Sequence, residues 1–324
     1  MIKGQKLKKI ANAVFEGGGV KGIGIAGALT VAEEHYDWAY VAGTSAGAII
    51  ASLVAAGYSS GEIADLVFNI KYSLFEDTTC LGNLPILGPF WRMRFHLGLY
   101  KGDYIENWIR DRLKDKGVQR FGDLVVRKNT RSPDERYRLR LIASDISSGR
   151  MLVLPQDIER YGIDPDYLDI ARAVRMSISI PVFFEPVKLQ YIDNDNNERT
   201  SYIIDGGVLS NYPVWLFDQC QMGGKVPTFG FKLMAPNEDR GHDIKGPVSL
   251  LSAVLGTMME AHDIRYVEEK NFQRTVVIPT LDVRATDFNI SRKKAEELFQ
   301  SGVTAAEEFF GKWDYRTYLR KYGV

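Results

Sequence analysis

Residues 43 to 47, Gly-Thr-Ser-Ala-Gly, form a G-x-S-x-G pentapeptide. An uncharged, strand-like run at 38–42 precedes it, and an apolar small-residue stretch at 48–56 follows with helical character. A serine held between a strand and a helix sits on a sharp, strained turn with its hydroxyl exposed as a nucleophile. The flanking glycines let that turn form and let a substrate approach the backbone. Such a serine does acyl transfer, and its attack on a carbonyl creates an oxyanion that needs backbone N–H donors. Phe15-Glu16-Gly17-Gly18-Gly19-Val20-Lys21-Gly22, after a strand-like run at 10–15, supplies candidates in Gly17, Gly18 and Gly19. Losing one donor of this kind costs about 3 kcal/mol of transition-state stabilisation.

The third requirement is a base. Asp205, in Ile203-Ile204-Asp205-Gly206-Gly207, ends another strand-like run, where its carboxylate could accept the serine proton. The four histidines, His35, His96, His242 and His262, lie in no motif of hydrolases with a histidine base. A carboxylate is a weak base at neutral pH unless its surroundings raise its pKa. Asp205 therefore calls for a dry site and a short approach to Ser45.

These three pieces, in this order, resemble the patatin-like phospholipases. The resemblance continues through Ala143-Ser144-Asp145-Ile146-Ser147-Ser148-Gly149, Met176-Ser177-Ile178-Ser179-Ile180-Pro181, Phe183-Phe184-Glu185-Pro186 and Ser210-Asn211-Tyr212-Pro213, and covers residues 10–235. It implies a patatin-like three-layer α/β/α sandwich with a mainly parallel central sheet. It implies a Ser45–Asp205 dyad without histidine, and an oxyanion hole in which Gly18 and Gly19 matter most. The activity implied is lipid acyl hydrolysis of the phospholipase A or lysophospholipase type, through an acyl-enzyme, on a phospholipid or other lipid ester. No metal or cofactor is called for. Lys21 falls on the basic position of the glycine motif, where a structural role is expected, pairing near the helix start.

The elements that must position these residues are legible in outline. Strand-like runs occur near 10–15, 38–42, 138–143, 187–192, 200–204 and 228–233. Helical patterns occur near 22–34, 46–57, 61–71, 103–115, 166–175, 212–221, 248–270 and 291–310. Such alternation predicts a mainly parallel sheet covered by helices on both faces. In the last helix Ala295, Leu298, Phe299, Val303, Ala306 and Phe310 recur at helical spacing, and Ser291 stands at the cap position. The expected division is a catalytic core over 1–235 and a helical addition over 236–324 packed on the same domain.

Composition excludes several classes. The 324 residues are 45% hydrophobic and 25% charged with zero formal net charge, which suits a globular fold and gives no reason to expect a nucleic-acid partner. Two cysteines, Cys80 and Cys220, exclude a disulfide framework and suit a reducing, cytoplasmic setting. The basic residues 1–9 precede an apolar run too short for a signal peptide, so 10–15 reads as a first buried strand. Residues 38–61 carry no charge and reach the ~20 residues of a membrane span, but the strand–serine turn within them argues against one. The polar stretch 127–138 reads as a surface loop. Segment 81–100 opens on Leu81 and sets Phe90, Trp91, Phe95 and Tyr100 beside Arg92 and Arg94, a composition suited to peripheral membrane contact or a lid, or else to a loop tucked on the core.

Two rival readings are set aside, and a third, acyl transfer, stays open. Gly17, Gly19 and Gly22 also match the dinucleotide pattern G-x-G-x-x-G, as do Gly22, Gly24 and Gly27. The ribose-binding acid should then close the next strand, yet Asp37 precedes it and the strand ends at the serine turn. A non-catalytic lipid-binding or signalling module would not need the intact serine, aspartate and glycines. An acyltransferase would use the same acyl-enzyme and differ mainly in the acceptor. The run Asp193-Asn194-Asp195-Asn196-Asn197 starts like a calcium loop, but Glu198 replaces the required glycine and Ile204 the closing glutamate, so it reads as a polar turn between strands.

Overall fold

The computed structural model of this chain describes residues 8–70, 97–126, 135–218, 226–235, 272–285 and 287–322, with isolated positions 244, 246, 253, 254 and 257. The chain runs β1 Lys9–Phe15, α1 Gly22–His35, β2 Tyr36–Thr44, α2 Ala46–Ala55, α3 Ser60–Asn69, β3 Gly98–Tyr100 and α4 Asp103–Asp115. It continues through β4 Leu139–Asp145, β5 Arg150–Leu154, α5 Ile170–Ser177, β6 Val182–Phe184, β7 Val187–Ile192 and β8 Glu198–Asp205. Last come β9 Thr228–Met234, β10 Thr275–Pro279, α6 Arg292–Lys312 and α7 Tyr315–Tyr322.

The central sheet has the order β10-β9-β1-β2-β4-β8-β7, with β5 also paired to β4. Its pairings from β10 to β4 are parallel, while β8, β7 and β5 join antiparallel. The parallel strands read as near-continuous apolar runs because both faces are covered. In β1, Ala11, Ala13 and Phe15 face the main core with α1 and α2, while Val14 faces the opposite side with Tyr40, Ala42 and Ile142. Leu216 and Phe217 cover that second side.

The helix expected at 212–221 is only a short 3-10 turn at Val214–Phe217, and 219–225 lie outside the described residues. Pro213 stands at its start with a non-helical backbone, which leaves no earlier turn for an α-helix to propagate from. Sequence periodicity also missed β3, β5, β6 and β10. The first three are short, and β10 belongs to the segment expected to be helical, yet it extends the central sheet alongside β9. Most of the helix expected near 248–270, most of loop 127–138 and most of segment 81–100 lie outside the described residues. Gly98–Tyr100, the described end of that last segment, pairs with β6 as a two-stranded sheet. The polar stretch at 193–197 is a hairpin turn between β7 and β8, with the Asp193 carboxylate accepting the N–H groups of Asp195 and Asn197. No helix among the described residues is long and apolar enough to cross a membrane, and residues 38–61 fold as β2, the serine turn and α2.

The last long helix, α6, begins as expected: the Ser291 hydroxyl accepts the Lys294 N–H at 3.3 Å. It buries Ala295, Leu298, Gly302 and Ala306 and lies on α1. The two helices meet along small residues. A Cβ on Gly302 would stand 1.8 Å from the Gly24 carbonyl oxygen, and one on Gly27 2.0 Å from that of Phe299. Gly302→Ala must push the helices apart and is expected to cost about 1–3 kcal/mol, the usual range for overpacking. Gly311→Ala, where nothing lies within 4 Å of the new methyl, is expected to stabilise by about 0.5–1 kcal/mol through helix propensity. Urea unfolding of the two variants beside the parent checks both signs.

Candidate active site

The parallel strands deliver their carboxyl ends to one rim of the sheet, the usual location of binding sites in open α/β folds. β1 ends at Phe15 just before the glycines, and β2 ends at Thr44 just before Ser45. β8 runs the other way, but its register brings Asp205 to the same rim. Thr44 stands opposite Ile142 of β4, and the next residue, Ala143, stands opposite Asp205. The last residue of an antiparallel strand is thus level with the end of a parallel one.

The turn at Ser45 is tight because of its neighbours. A Cβ on Gly43 would lie 2.2 Å from the Gly47 carbonyl oxygen, and one on Gly47 2.2 Å from that of Phe15. Ser45 itself has φ 53° and ψ −125°, a left-handed backbone that costs a non-glycine residue about 1–3 kcal/mol. The strained strand-to-helix turn expected from the pentapeptide is present. The expected exposure of the residue is not: Ser45 is 2% exposed. It lines a cavity of about 70 Å3 bounded by residues of α2, α4 and the 178–184 stretch. Ile49, Ile50, Leu53, Ile105, Trp108 and Phe184 make an apolar wall there, and Gly19 and Gly22 stand on the same lining.

Asp205 is fully buried. Its Oδ1 accepts the Gly207 N–H at 2.7 Å, and its Oδ2 has no hydrogen-bond partner. Burial pushes its carboxyl up to about 7, against the opposing pull of the Ser45 hydroxyl and the Gly207 N–H. Ser45 thus acts on this carboxyl's pKa, although no hydrogen bond joins its hydroxyl to Asp205 Oδ2. A second buried aspartate shows how much the donors decide. Asp145 is equally hidden, but Ser148, Tyr161, Ser201 and the Ser147 N–H all donate to it, and they outweigh burial and lower its pKa. Asp145 is held as an anion that braces β4 and β8. Asp205 has little to replace its lost water.

The glycine loop is anchored on both sides. The Glu16 carboxylate accepts Lys232 Nζ at 2.8 Å and the Leu233 N–H, tying the end of β1 to the end of β9. Gly17 packs on Ser45, since a Cβ there would lie 3.0 Å from the Ser45 Cβ. Its N–H, however, donates to the Asn211 carbonyl at 3.2 Å. Of the three expected donors, Gly17 is thus already engaged. Gly18 and Gly19 have N–H groups with no acceptor among the described residues. Gly19 has φ 55°, and a Cβ there would lie 2.1 Å from the Ala285 carbonyl oxygen, so both its backbone and its surroundings require glycine. Lys21 makes no ion pair among the described residues, contrary to the pairing expected of it.

His35 is the one histidine among the described residues, and it stacks on Phe310 at 5.7 Å at the end of α1. The site residues that sequence reasoning missed are Ser177 and Ser179. The Ser177 hydroxyl accepts the Ser45 N–H at 3.0 Å, and the Ser179 carbonyl accepts the Asp205 N–H at 2.9 Å. Their stretch at 176–181 was visible as a motif, but nothing in a single sequence says which backbone groups it meets.

Comparison with known proteins identifies the family and the fold. The Patatin-like phospholipase family profile matches residues 13–218. The uncharacterized protein YqhO of Bacillus subtilis is 42% identical over 314 residues, covering 94% of this chain and 99% of its own. The uncharacterized protein R571 of Acanthamoeba polyphaga mimivirus is 26% identical over 93% of both chains. Among solved structures, VipD from Legionella pneumophila aligns with TM-score 0.58 at 15% identity, over 96% of this chain and 72% of that one. ExoU in the ExoU–SpcU complex of the Pseudomonas aeruginosa type III secretion system aligns with TM-score 0.51 at 18% identity, over 94% of this chain and 52% of that one. Those two share the fold. A family profile spanning the serine turn, the glycine loop and the aspartate, together with a near full-length relative, establishes that the chain belongs to the patatin-like phospholipase family.

Proposed function

We propose that this protein is a serine lipid acyl hydrolase of the phospholipase A or lysophospholipase type, working through Ser45 and Asp205. The observation that carries the reading is the pairing of a strained, cavity-lining serine with a buried carboxyl raised to about 7. A carboxylate with that pKa is a competent base at neutral pH.

In the first half-reaction Ser45 Oγ attacks the ester carbonyl carbon while Asp205 takes the hydroxyl proton. The carbonyl oxygen becomes an oxyanion, and the N–H groups of Gly18 and Gly19 receive it. Collapse of the intermediate breaks the ester C–O bond, and Asp205 returns its proton to the leaving alcohol. Water then attacks the acyl-enzyme with Asp205 again as base; the acyl C–Oγ bond breaks as Asp205 returns that proton to Ser45, and a fatty acid departs. The apolar wall beside Ser45 suits an acyl chain and offers no cation to a phosphate, so a phospholipid headgroup stays outside it. Residues 81–100, whose aromatic and cationic composition suits contact with a lipid surface, remain part of this proposal from sequence alone.

Ser45→Ala and Asp205→Ala are each expected to lower kcat by about 10⁴-fold without loss of the fold. A soluble short-chain ester assay with circular dichroism checks this, and substantial turnover in either variant removes that residue from the mechanism. No step uses a metal, so turnover is expected to be unchanged in EDTA.

The base must be ionised to work, so kcat/KM is expected to rise about tenfold per pH unit and to level off above about pH 7. The same shift predicts a cost in stability. A carboxyl raised from 3.8 to about 7 binds its proton more tightly in the folded state, so its contribution to stability is full below pH 4 and is lost as pH rises to 7. The loss is on the order of 4 kcal/mol. Asp205→Asn, which keeps an acceptor for the Gly207 N–H, is expected to melt higher than the parent at pH 8 and to match it near pH 4. Thermal melts at the two pH values measure the difference.

A further inference from the structure

Ser177, the last residue of α5, is fully buried. Its Oγ accepts the Ser45 N–H at 3.0 Å and donates to the Ile142 carbonyl oxygen at 2.6 Å. Ile142 is the β4 residue in register with Thr44. One hydroxyl therefore ties the serine turn to the strand beside it. The need for such a tie follows from the turn. With φ at 53°, Ser45 directs its N–H to neither a strand ladder nor the first turn of α2, and a buried N–H left without a partner is costly.

The base is held by the same short segment. Two residues on, the Ser179 carbonyl accepts the Asp205 N–H at 2.9 Å. Ser179 is fixed in turn: its hydroxyl donates to the Arg175 carbonyl at 2.6 Å and accepts from the Arg175 guanidinium. That guanidinium also binds the carbonyls of Lys101 and Glu185. Residues 175–179 thus grip the backbone of both the serine and the aspartate.

We infer that Ser177 is a positioning residue for Ser45, setting the direction of the attacking hydroxyl relative to Asp205 and withdrawing the Ser45 amide from the oxyanion donors. This rests on the reading of Ser45 as nucleophile. The role needs a group that donates and accepts at once. Alanine does neither, cysteine does both weakly, and threonine does both. Without the hydroxyl the strained turn can relax toward negative φ, and the Ser45 Oγ swings away from Asp205. Ser177 is not among the residues lining the cavity and shares no hydrogen bond with the Asp205 carboxyl, so substrate affinity and the pH midpoint have no reason to change.

The test uses the full chain, a fluorophosphonate probe for Ser45, a soluble short-chain ester, and temperatures well below each variant's melting midpoint. For Ser177→Ala the labelling rate and kcat are expected to fall roughly 10- to 100-fold, with KM within about twofold and the pH midpoint still about 7. Ser177→Thr is expected to restore most of both rates. Labelling of Ser177→Ala at the parental rate, or a loss confined to its melting temperature, overturns the inference. If the alanine variant does not fold, Ser177→Cys against Ser177→Thr decides: an active threonine and an impaired cysteine variant support the role, and equal rates overturn it. A parent protein that the probe never labels removes the nucleophile itself, and that result is distinct because it needs no variant.

Discussion

Asp205 loses its water where β8 stops against the end of β4, and a single backbone N–H stands in for what was lost. The proposed role of Asp205 as a base depends on that desolvation. A carboxylate in water would be too weak a base for a serine, and a carboxylate surrounded by donors would be weaker still. Asp145, a short distance along the neighbouring strand, is that second case, with five groups donating to it and its pKa lowered. Two aspartates of the same sheet are thus shifted in opposite directions by the number of donors each meets, since both are buried.

Dryness has to be built by packing. The apolar wall over Ser45 comes from α2, α4 and β6, elements far apart in sequence. The same closeness explains the glycines. Gly43 and Gly47 let the serine turn fold against the end of β1, and Gly206 lets the chain after Asp205 pass close to β4, since a Cβ there would lie 2.3 Å from the Ile142 carbonyl oxygen. Together they let a hydroxyl, a carboxylate and bare amides share one rim. The stability given up at Asp205 and in the Ser45 backbone is offset elsewhere, in a sheet whose parallel strands are covered on both faces and in the close α1–α6 contact.

Much of this was legible beforehand, for identifiable reasons. The serine turn, the glycine loop and the aspartate are short motifs whose residue types have few other uses in combination, and each follows an apolar run long enough to read as a strand. Helix α6 showed itself through Leu298, Ala306 and a capping Ser291, all local signals. β10 did not, because Thr275–Pro279 becomes a strand by pairing with β9 across an interval of some forty residues. The 212–221 pattern misled because its apolar residues cover the second face of the sheet from a turn instead of a helix.

By itself the sequence determined which groups could do the chemistry, in what order they come, and that strands and helices alternate around them. Residue type and near-neighbour spacing are enough for that. Only the tertiary structure decided that Gly17 gives its N–H to Asn211 while Gly18 and Gly19 keep theirs, that Ser45 faces a cavity, and that Ser177 and Ser179 hold the backbones of Ser45 and Asp205. Those outcomes are fixed by register between strands and by which donor meets which acceptor across long stretches of chain. No local pattern encodes them, because the partners become neighbours only when the sheet has formed.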